Sequence, residues 1–549
     1  MKLDFLNHQT KRVGFAAVIL AFSHLISRFL GLIRDWLLAR SFGAGLELDV
    51  YFAAFKIPDF VYQIFILGGI VATFLPLFSE YFSKDSDGAW EFTSNTLNIF
   101  LVLLTSLSLI LFIFTPYITK IIAPGFNDWQ IDKTIFLTRL MLLSPIFFGL
   151  SSIFSSILQY FYRFLIYSFA PIVYNLSIIF GILFLSPRLG ILGVALGVVV
   201  GAFSHFLIQI PSVINCGFRY KPILNFKDPK IKKVFLLMIP RAFGVSSMQI
   251  NAIVINAIAS TLVVGSISVF NFANNIRLFP IAIIGVSFAT AVFPKLSRAW
   301  VENKKEKFIN SFSLIFRQII YLALPVVILM FILRNQLVNL ILRHGQFSIE
   351  AAQLVSASVG LFCFGILFAS LRPLFFRVFF SLKDTKTPTL LAVIFVIVNI
   401  VLSLVLTSAL KPGSLEAAGL KDFLIKNFSL YQVNDISILG FPLAYLISLA
   451  LEFCLFIVFL KKRLGDFGIK EILNSFLKSL VAGILMIFIV QFSLLQIGLI
   501  DSDLYQLVLI SSIGFLAYII ITFIFGSVEI QSIKTLFFNK FSHKVDDYE

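Results

Sequence analysis

VYFAAFKIPDF…VATFLPLFSEYF, residues 50–82, returns in altered form as VFNFANNIRLFP…FATAVFPKLSRAW, residues 269–300. Phe52 falls on Phe270, Pro76 on Pro294 and Ser79 on Ser297, all at one constant offset. Each copy is a long apolar run, and a run of roughly 20 helical residues crosses the ~30 Å hydrocarbon core of a bilayer. Six spans separate the copies. An even number keeps both copies in one orientation, which gives parallel repeats about an axis along the membrane normal, a known transporter plan.

Working outward from the two copies, similar apolar runs fill the chain. Hydrophobic residues make up 59% of the 549 residues and charged residues 13%, against about 25% charged in a soluble domain. No stretch interrupts the runs as a soluble domain would. The reading is an all-α integral membrane protein with about 14 transmembrane helices: two parallel-repeat six-helix lobes plus two C-terminal helices. The N-lobe is residues 1–213 (helices 1–6), followed by a basic cytoplasmic linker, 214–232. The C-lobe is 233–461 (helices 7–12), and 462–549 holds helices 13–14 and a cytoplasmic tail. Gly193, Gly197 and Gly201 form a small-residue stripe suited to close helix packing.

The formal net charge of +16 does not point to nucleic acid. Basic residues gather in alternate short loops, including Arg219, Lys221, Lys227, Lys230 and Lys232 after the sixth span and Lys461, Lys462 and Arg463 after the twelfth. The loop after the seventh span has none, and the one after the thirteenth has only Asp501 and Asp503. By the positive-inside rule both termini are cytoplasmic. The first run contains Arg28, Arg34 and Asp35 and lacks a small-residue cleavage site, so it is read as a retained helix. Cys216, Cys363 and Cys454 show no metal or redox spacing. Enzyme motifs are missing as well: there is no phosphate-cradling glycine loop, no HExxH and no paired-carboxylate set, so the chain reads as a non-enzyme with no cofactor.

Charges inside a membrane cost ~2.5–3.5 kcal/mol each on insertion scales and usually face a bundle interior or an aqueous cavity. The first span is densest in them. At 100° per residue Ser23, His24, Ser27, Arg28, Gly31, Arg34 and Asp35 share a sector of roughly 140°. Phe22, Leu25, Ile26, Phe29, Leu32, Ile33 and Trp36 fill the rest. Asp49, Lys56 and Asp59 open the second span, and further basic groups are Arg139, Arg241, Arg277, Arg372 and Arg377. Two readings are open. In one, the face lines a cationic cavity for an anionic headgroup, since the arginine fork makes paired charge-assisted hydrogen bonds to phosphate. In the other, Arg28 or Arg34 pairs with Asp35 to hold helices together, while Arg372 and Arg377 snorkel to the cytoplasmic face.

The segment SRFLGLIRDWLLARSFGAGLELDVYFAAFKIPD, residues 27–59, resembles the N-terminal signature of the MurJ (MviN) lipid II flippases of the multidrug/oligosaccharidyl-lipid/polysaccharide exporter superfamily. MIPRAFGVSSMQIN at 238–251, GSISVFNFANN…FP…FATAVFPKLS at 265–297, LRHGQF at 342–347 and SLKDTKTP at 381–388 extend the resemblance over nearly the whole chain. It implies a flippase that carries the undecaprenyl-pyrophosphate-linked peptidoglycan precursor, lipid II, from inner to outer leaflet by alternating access. It also implies a bacterial cytoplasmic (inner) membrane setting and a role in cell wall biogenesis and cell shape. By resemblance Ser27, Arg28, Arg34, Asp35, Asp49 and Lys56 belong to the substrate site, with the arginines on the pyrophosphate. Arg241 is a C-lobe candidate, and His24, Asn275 and Arg277 are secondary ones.

Departures stand beside the matches. Two adjacent arginines common in the family are Tyr62 and Gln63 here, and a glutamate is Leu67. An arginine of the eighth span falls on Asn275, with Arg277 two residues on and ~200° round the helix. An acidic residue tied to sodium in some members falls near Ile255, which leaves Asn251, Asn256 and Asn399 as a neutral-oxygen cation candidate and the membrane potential as the other driving force. The rivals are a flippase for another polyprenyl-linked glycan, a multidrug exporter of the same superfamily, and a non-transporting scaffold that binds lipid-linked precursors. The partners read from the chain are a lipid-linked pyrophosphate glycan and the bilayer; no protein partner is legible.

Overall fold

A computed structural model describes residues 13–497 and 502–530. Among these residues every regular element is a helix. Twelve helices are long and apolar enough to cross a membrane. They are α2 (Leu46–Phe82), α3 (Ser86–Ile122), α4 (Asp128–Tyr160), α5 (Phe164–Leu189), α6 (Ile191–Ile214), α8 (Ser266–Val301), α9 (Lys305–Ile332), α11 (Ile349–Ser381), α12 (Lys386–Ala409), α14 (Ser437–Leu464), α15 (Ile469–Gln496) and α16 (Asp503–Ile524). Two further long helices, α1 (Val13–Phe42) and α7 (Pro229–Ser260), have 30 and 32 residues. They carry many of the polar positions singled out above. Short helices α10 (Arg334–Leu342) and α13 (Ala418–Phe428) lie in connections.

The chain divides into two compact units. Unit 1 holds residues up to Ser268 together with Ile341–Ser348, and unit 2 holds Val269–Leu340 and the chain from Ile349 onward.

Unit 1 packs around stacked aromatics. Phe74, Phe78, Phe92 and Phe100 are fully buried, and Phe74 stacks on Phe92 at 5.5 Å. The glycine stripe of α6 meets α5 with almost no space between backbones. A Cβ on Gly181 would lie 2.7 Å from the Gly193 carbonyl and 2.9 Å from the Gly197 Cα, so only glycine permits this approach. The basic linker straps back onto α3. Asn95 donates to the Asn225 carbonyl at 3.0 Å and accepts from its amide at 2.8 Å. Lys221 reaches Glu91 at 2.9 Å, and that hydrogen bond lifts the Lys221 ammonium above the usual lysine range. The LRHGQF segment also has its place here: the Gln346 amide donates to the Arg40 carbonyl at 3.0 Å, and His344 lies edge-on to Trp36.

Inside α2 the residues Tyr62–Ile70 form π-helical turns. A π turn carries an extra residue and widens the helix locally, often at functional sites. The widened part receives α7, where Met238 packs against Gly69.

Unit 2 has its own phenylalanine core, with Phe308, Phe312, Phe375 and Phe379 buried and Phe375 stacked on Phe456 at 5.0 Å. Helix α8, like α2, contains a π segment, at Ile281–Val286. The two π segments start 219 residues apart, one residue more than the spacing of Pro76 and Pro294. Helices α15 and α16 join this core through α9, where Tyr518 donates to the Tyr321 carbonyl at 3.0 Å and Tyr321 bonds Thr522 at 3.0 Å.

Candidate substrate cavity

The site in unit 1 begins with a proline. Pro58 has no N–H to give the carbonyl four residues back, which would leave Ala54 unsatisfied. The Thr138 hydroxyl from α4 fills that role at 3.3 Å. One residue on, Asp59 stands beside a cavity of about 260 Å3 lined by Arg34, Tyr62, Ser144, Tyr174, His205 and apolar neighbours.

Arg34 supplies the cation. Its Nε and Nη2 both donate to Oδ1 of Asp35, at 3.0 and 2.8 Å. The arginine side chain stays 25% exposed while Asp35 is 6% exposed, so the carboxylate is hidden and the guanidinium faces the cavity. The pairing proposed as the structural alternative is therefore present, and it leaves the arginine at a cavity wall all the same. An aromatic run in the same lining, Tyr62 on Phe148 at 5.0 Å and Phe148 edge-on to Tyr174 and His205, fixes the shape. His205 is held by Ser151, whose Oγ lies 2.6 Å from Nδ1, and Gln209 ties Ser151 to Ser155.

The other residues singled out from sequence fall in different places. Ser27 accepts from Asn175 at 3.2 Å. Arg28 is exposed on α1 and makes no ion pair among the described residues. A Cβ added at Gly31 would meet open space. Lys56 is half-buried, one turn before Asp59 and under its electrostatic influence. Asp49 is 3% exposed, and its carboxylate accepts from the Gly265 amide at 2.6 Å, the Ser268 amide at 2.8 Å and the Ser268 hydroxyl at 2.6 Å. Gly265 immediately precedes α8 and Ser268 lies in its first turn, so Asp49 caps the start of that helix from another one. The side chains of His24 and Arg241 lie outside the described residues.

Among the cation candidates, Asn251 and Asn256 sit on α7 in unit 1, where Asn256 donates to the Ile122 carbonyl at 3.1 Å. Asn399 is buried on α12 in unit 2. No cluster of three or more His, Cys, Asp or Glu able to hold a metal occurs among the described residues.

In unit 2 Asn275 is half-buried and Arg277 is buried between Tyr445, 3.8 Å from the ring centre, and Phe362 at 4.5 Å. Arg372 does not snorkel. Its Nε reaches Glu452 at 2.8 Å, because a buried carboxylate needs a cation more than the guanidinium needs water. Arg377 bonds Thr290 at 3.2 Å, and Arg139 bonds the Phe112 carbonyl at 3.1 Å. Unit 2 also carries an apolar groove of about 680 Å3 between α9 and α16, lined by Leu329, Met330, Leu333, Phe515 and Leu516 among others.

Sequence reasoning passed over His205, Tyr62 and Tyr174 as site residues and left Asp59 out of the set. A histidine and a Pro-Asp pair inside apolar spans were the available signals.

The architecture is that of a multi-pass transporter. A solved structure titled "Lipid II flippase MurJ, inward closed conformation" matches with a TM-score of 0.75 at 24% identity, over 92% of this chain and 98% of that one. An inward-facing MATE transporter of the MOP superfamily matches with a TM-score of 0.67 at 14% identity, over 82% and 98%. The family model described as "Lipid II flippase MurJ" matches residues 38–513, and the chain belongs to that family. Among relatives, the probable lipid II flippase MurJ of Vibrio cholerae is 30% identical over 72% of this chain and 77% of its own length. That of Borreliella burgdorferi is 31% identical over 71% and 76%.

Proposed function

We propose that this protein flips lipid II, the undecaprenyl-pyrophosphate-linked peptidoglycan precursor, from the inner to the outer leaflet by alternating access. It acts in the inner membrane with both termini cytoplasmic, and it performs no covalent chemistry. The observation that carries the reading is Arg34, a charged side chain lining a cavity inside a membrane unit. Its fork suits a phosphate, and Asp35 keeps the guanidinium oriented when the site is empty. Arg28, six residues earlier on the same helix, adds a second cation. Lys56 and Ser27 support the same wall, while Asp49 contributes by holding the start of α8. The apolar groove of unit 2 suits an isoprenoid chain.

The sequence lobes 1–213 and 233–461, joined by 214–232, are proposed as the repeating units, with the membrane potential or a monovalent cation at Asn251, Asn256 or Asn399 as the driving force. Reconstitution into liposomes with labelled lipid II tests the proposal. Protection of the label from an external probe should change with the protein and fail to change with Arg34→Ala or Arg28→Ala. Normal flipping by both variants rejects the pyrophosphate role. Binding without translocation favours the scaffold reading, and preference for a different polyprenyl glycan moves the substrate.

A further inference from the structure

The cavity of unit 1 is not simply cationic. Arg34 is already compensated by Asp35, and the lining that Arg34 shares includes a second carboxylate, Asp59. Lys56 is the cation nearest in sequence and couples electrostatically to it. An anion drawn to Arg34 therefore arrives beside Asp59 in a desolvated space, where like charges repel strongly. Protonating Asp59 removes the repulsion and converts an acceptor into a donor that can bond a phosphate oxygen. Gln63 donates to Oδ1 at 3.3 Å, which leaves Oδ2 as the place for the proton.

We infer that binding of an anionic pyrophosphate headgroup in this cavity is linked to uptake of a proton from water by Asp59. The inference rests on the headgroup reading of the cavity and adds to it a proton partner. The groups facing Asp59 are few. Helix α1 presents Arg34 and Asp35, α2 itself presents Tyr51, Lys56 and Tyr62, α5 presents Tyr167 and Tyr174, and α6 presents His205. On α4 Ser144 lines the cavity, while Arg139 is held at Phe112 and Tyr160 sits in the aromatic core. Lys120 of α3 is exposed near that helix's end, and Arg241 of α7 is outside the described side chains. Among the described residues Asp35 is already engaged by Arg34, which leaves His205 as the rival proton acceptor, with Ser151 already at its Nδ1.

Titration calorimetry of the full-length protein in nanodiscs, with farnesyl pyrophosphate as probe, decides the matter. Runs at one pH in two buffers of different ionisation enthalpy give the protons taken up per ligand. The ligand's own titration is common to every variant and cancels on comparison. Wild type should take up more protons than Asp59→Asn, and its affinity should fall more steeply with rising pH, by at most about tenfold per unit for one linked proton. Equal uptake in the two proteins overturns the inference, and so does an uptake that survives in Asp59→Asn but vanishes in His205→Asn. Should Asp59→Asn fail to fold, infrared difference spectra of the wild type replace it. A protonated aspartate band must rise when the probe is added, and its absence rejects the linkage. No binding by the wild type rejects the headgroup reading itself, whereas binding without linked protons leaves that reading standing.

Discussion

In unit 1, Arg34 and Asp35 are neighbours on one helix, and the guanidinium, a quarter exposed, borders a cavity. In unit 2, Arg372 reaches across to Glu452 on another helix, with Phe376 and Phe395 lying 5.3 and 5.0 Å from the guanidinium. The chemistry of the two pairs is nearly the same. What differs is who else can approach. The first arginine keeps a face for a visitor, while the second and the nearby Arg277 have their faces covered by rings. An ion pair in a membrane is thus evidence for a binding site only where space adjoins it.

The largest effect should come from unit 1. Arg34→Ala is expected to lower flipping in liposomes by roughly 100-fold, the loss of two charge-assisted hydrogen bonds to the headgroup. Because it also removes the ion pair of the buried Asp35, the double variant Arg34→Ala/Asp35→Asn should show the same loss with little change in thermal stability. If activity holds and stability falls, the contrast between the pairs is wrong. Next is Arg372→Met, which leaves Glu452 buried alone and should cost about 3–5 kcal/mol. Thermal unfolding in detergent would show it, and the double change with Glu452→Leu should recover most of the loss. A parallel loss in the double variant would mean that the pair does more than satisfy itself.

The two wide turns offer a finer comparison. A Cβ on Gly285 would collide with the Ser370 backbone, whereas one on Gly69 would meet the side chain of Met238 at 2.6 Å. Gly285→Ala should therefore destabilise by about 1–3 kcal/mol and Gly69→Ala by less, since methionine can move. Equal shifts in melting temperature would contradict this.

The smallest effect lies outside the spans. At Asp384 burial works to raise the carboxyl's affinity for protons, but hydrogen bonds from Thr387 and the charge of Arg463 outweigh it and hold the group below the usual aspartate range. A depressed acid contributes stability above its unfolded value and loses it as pH falls through the folded one. Asp384→Asn should lower the melting temperature slightly at pH 7 and flatten its decline below about pH 4. An unchanged acid limb would exclude that contribution.

Much of the fold was legible in the sequence, because lipid admits few alternatives to long apolar helices. The glycine stripe of α6 could be read from its spacing. The π turns could not, since an extra residue in a helix leaves no mark on composition. Partners were also hidden. Asp49 reads as one more acid at a helix start, and only the fold brings it to the α8 amides. The same holds for Arg372, whose carboxylate is 80 residues away, and for His205, which becomes a cavity wall through α6 packing on α4.

The π segment of α2 has a consequence for direction. One residue beyond the regular α-helical count turns the helix after it by about 100°. Pro58 and Asp59 before the segment and Phe74 and Phe78 after it therefore do not share the faces that a straight helix would give them. A single deletion within Tyr62–Ile70 would swing either the cavity residues or the aromatic core out of place.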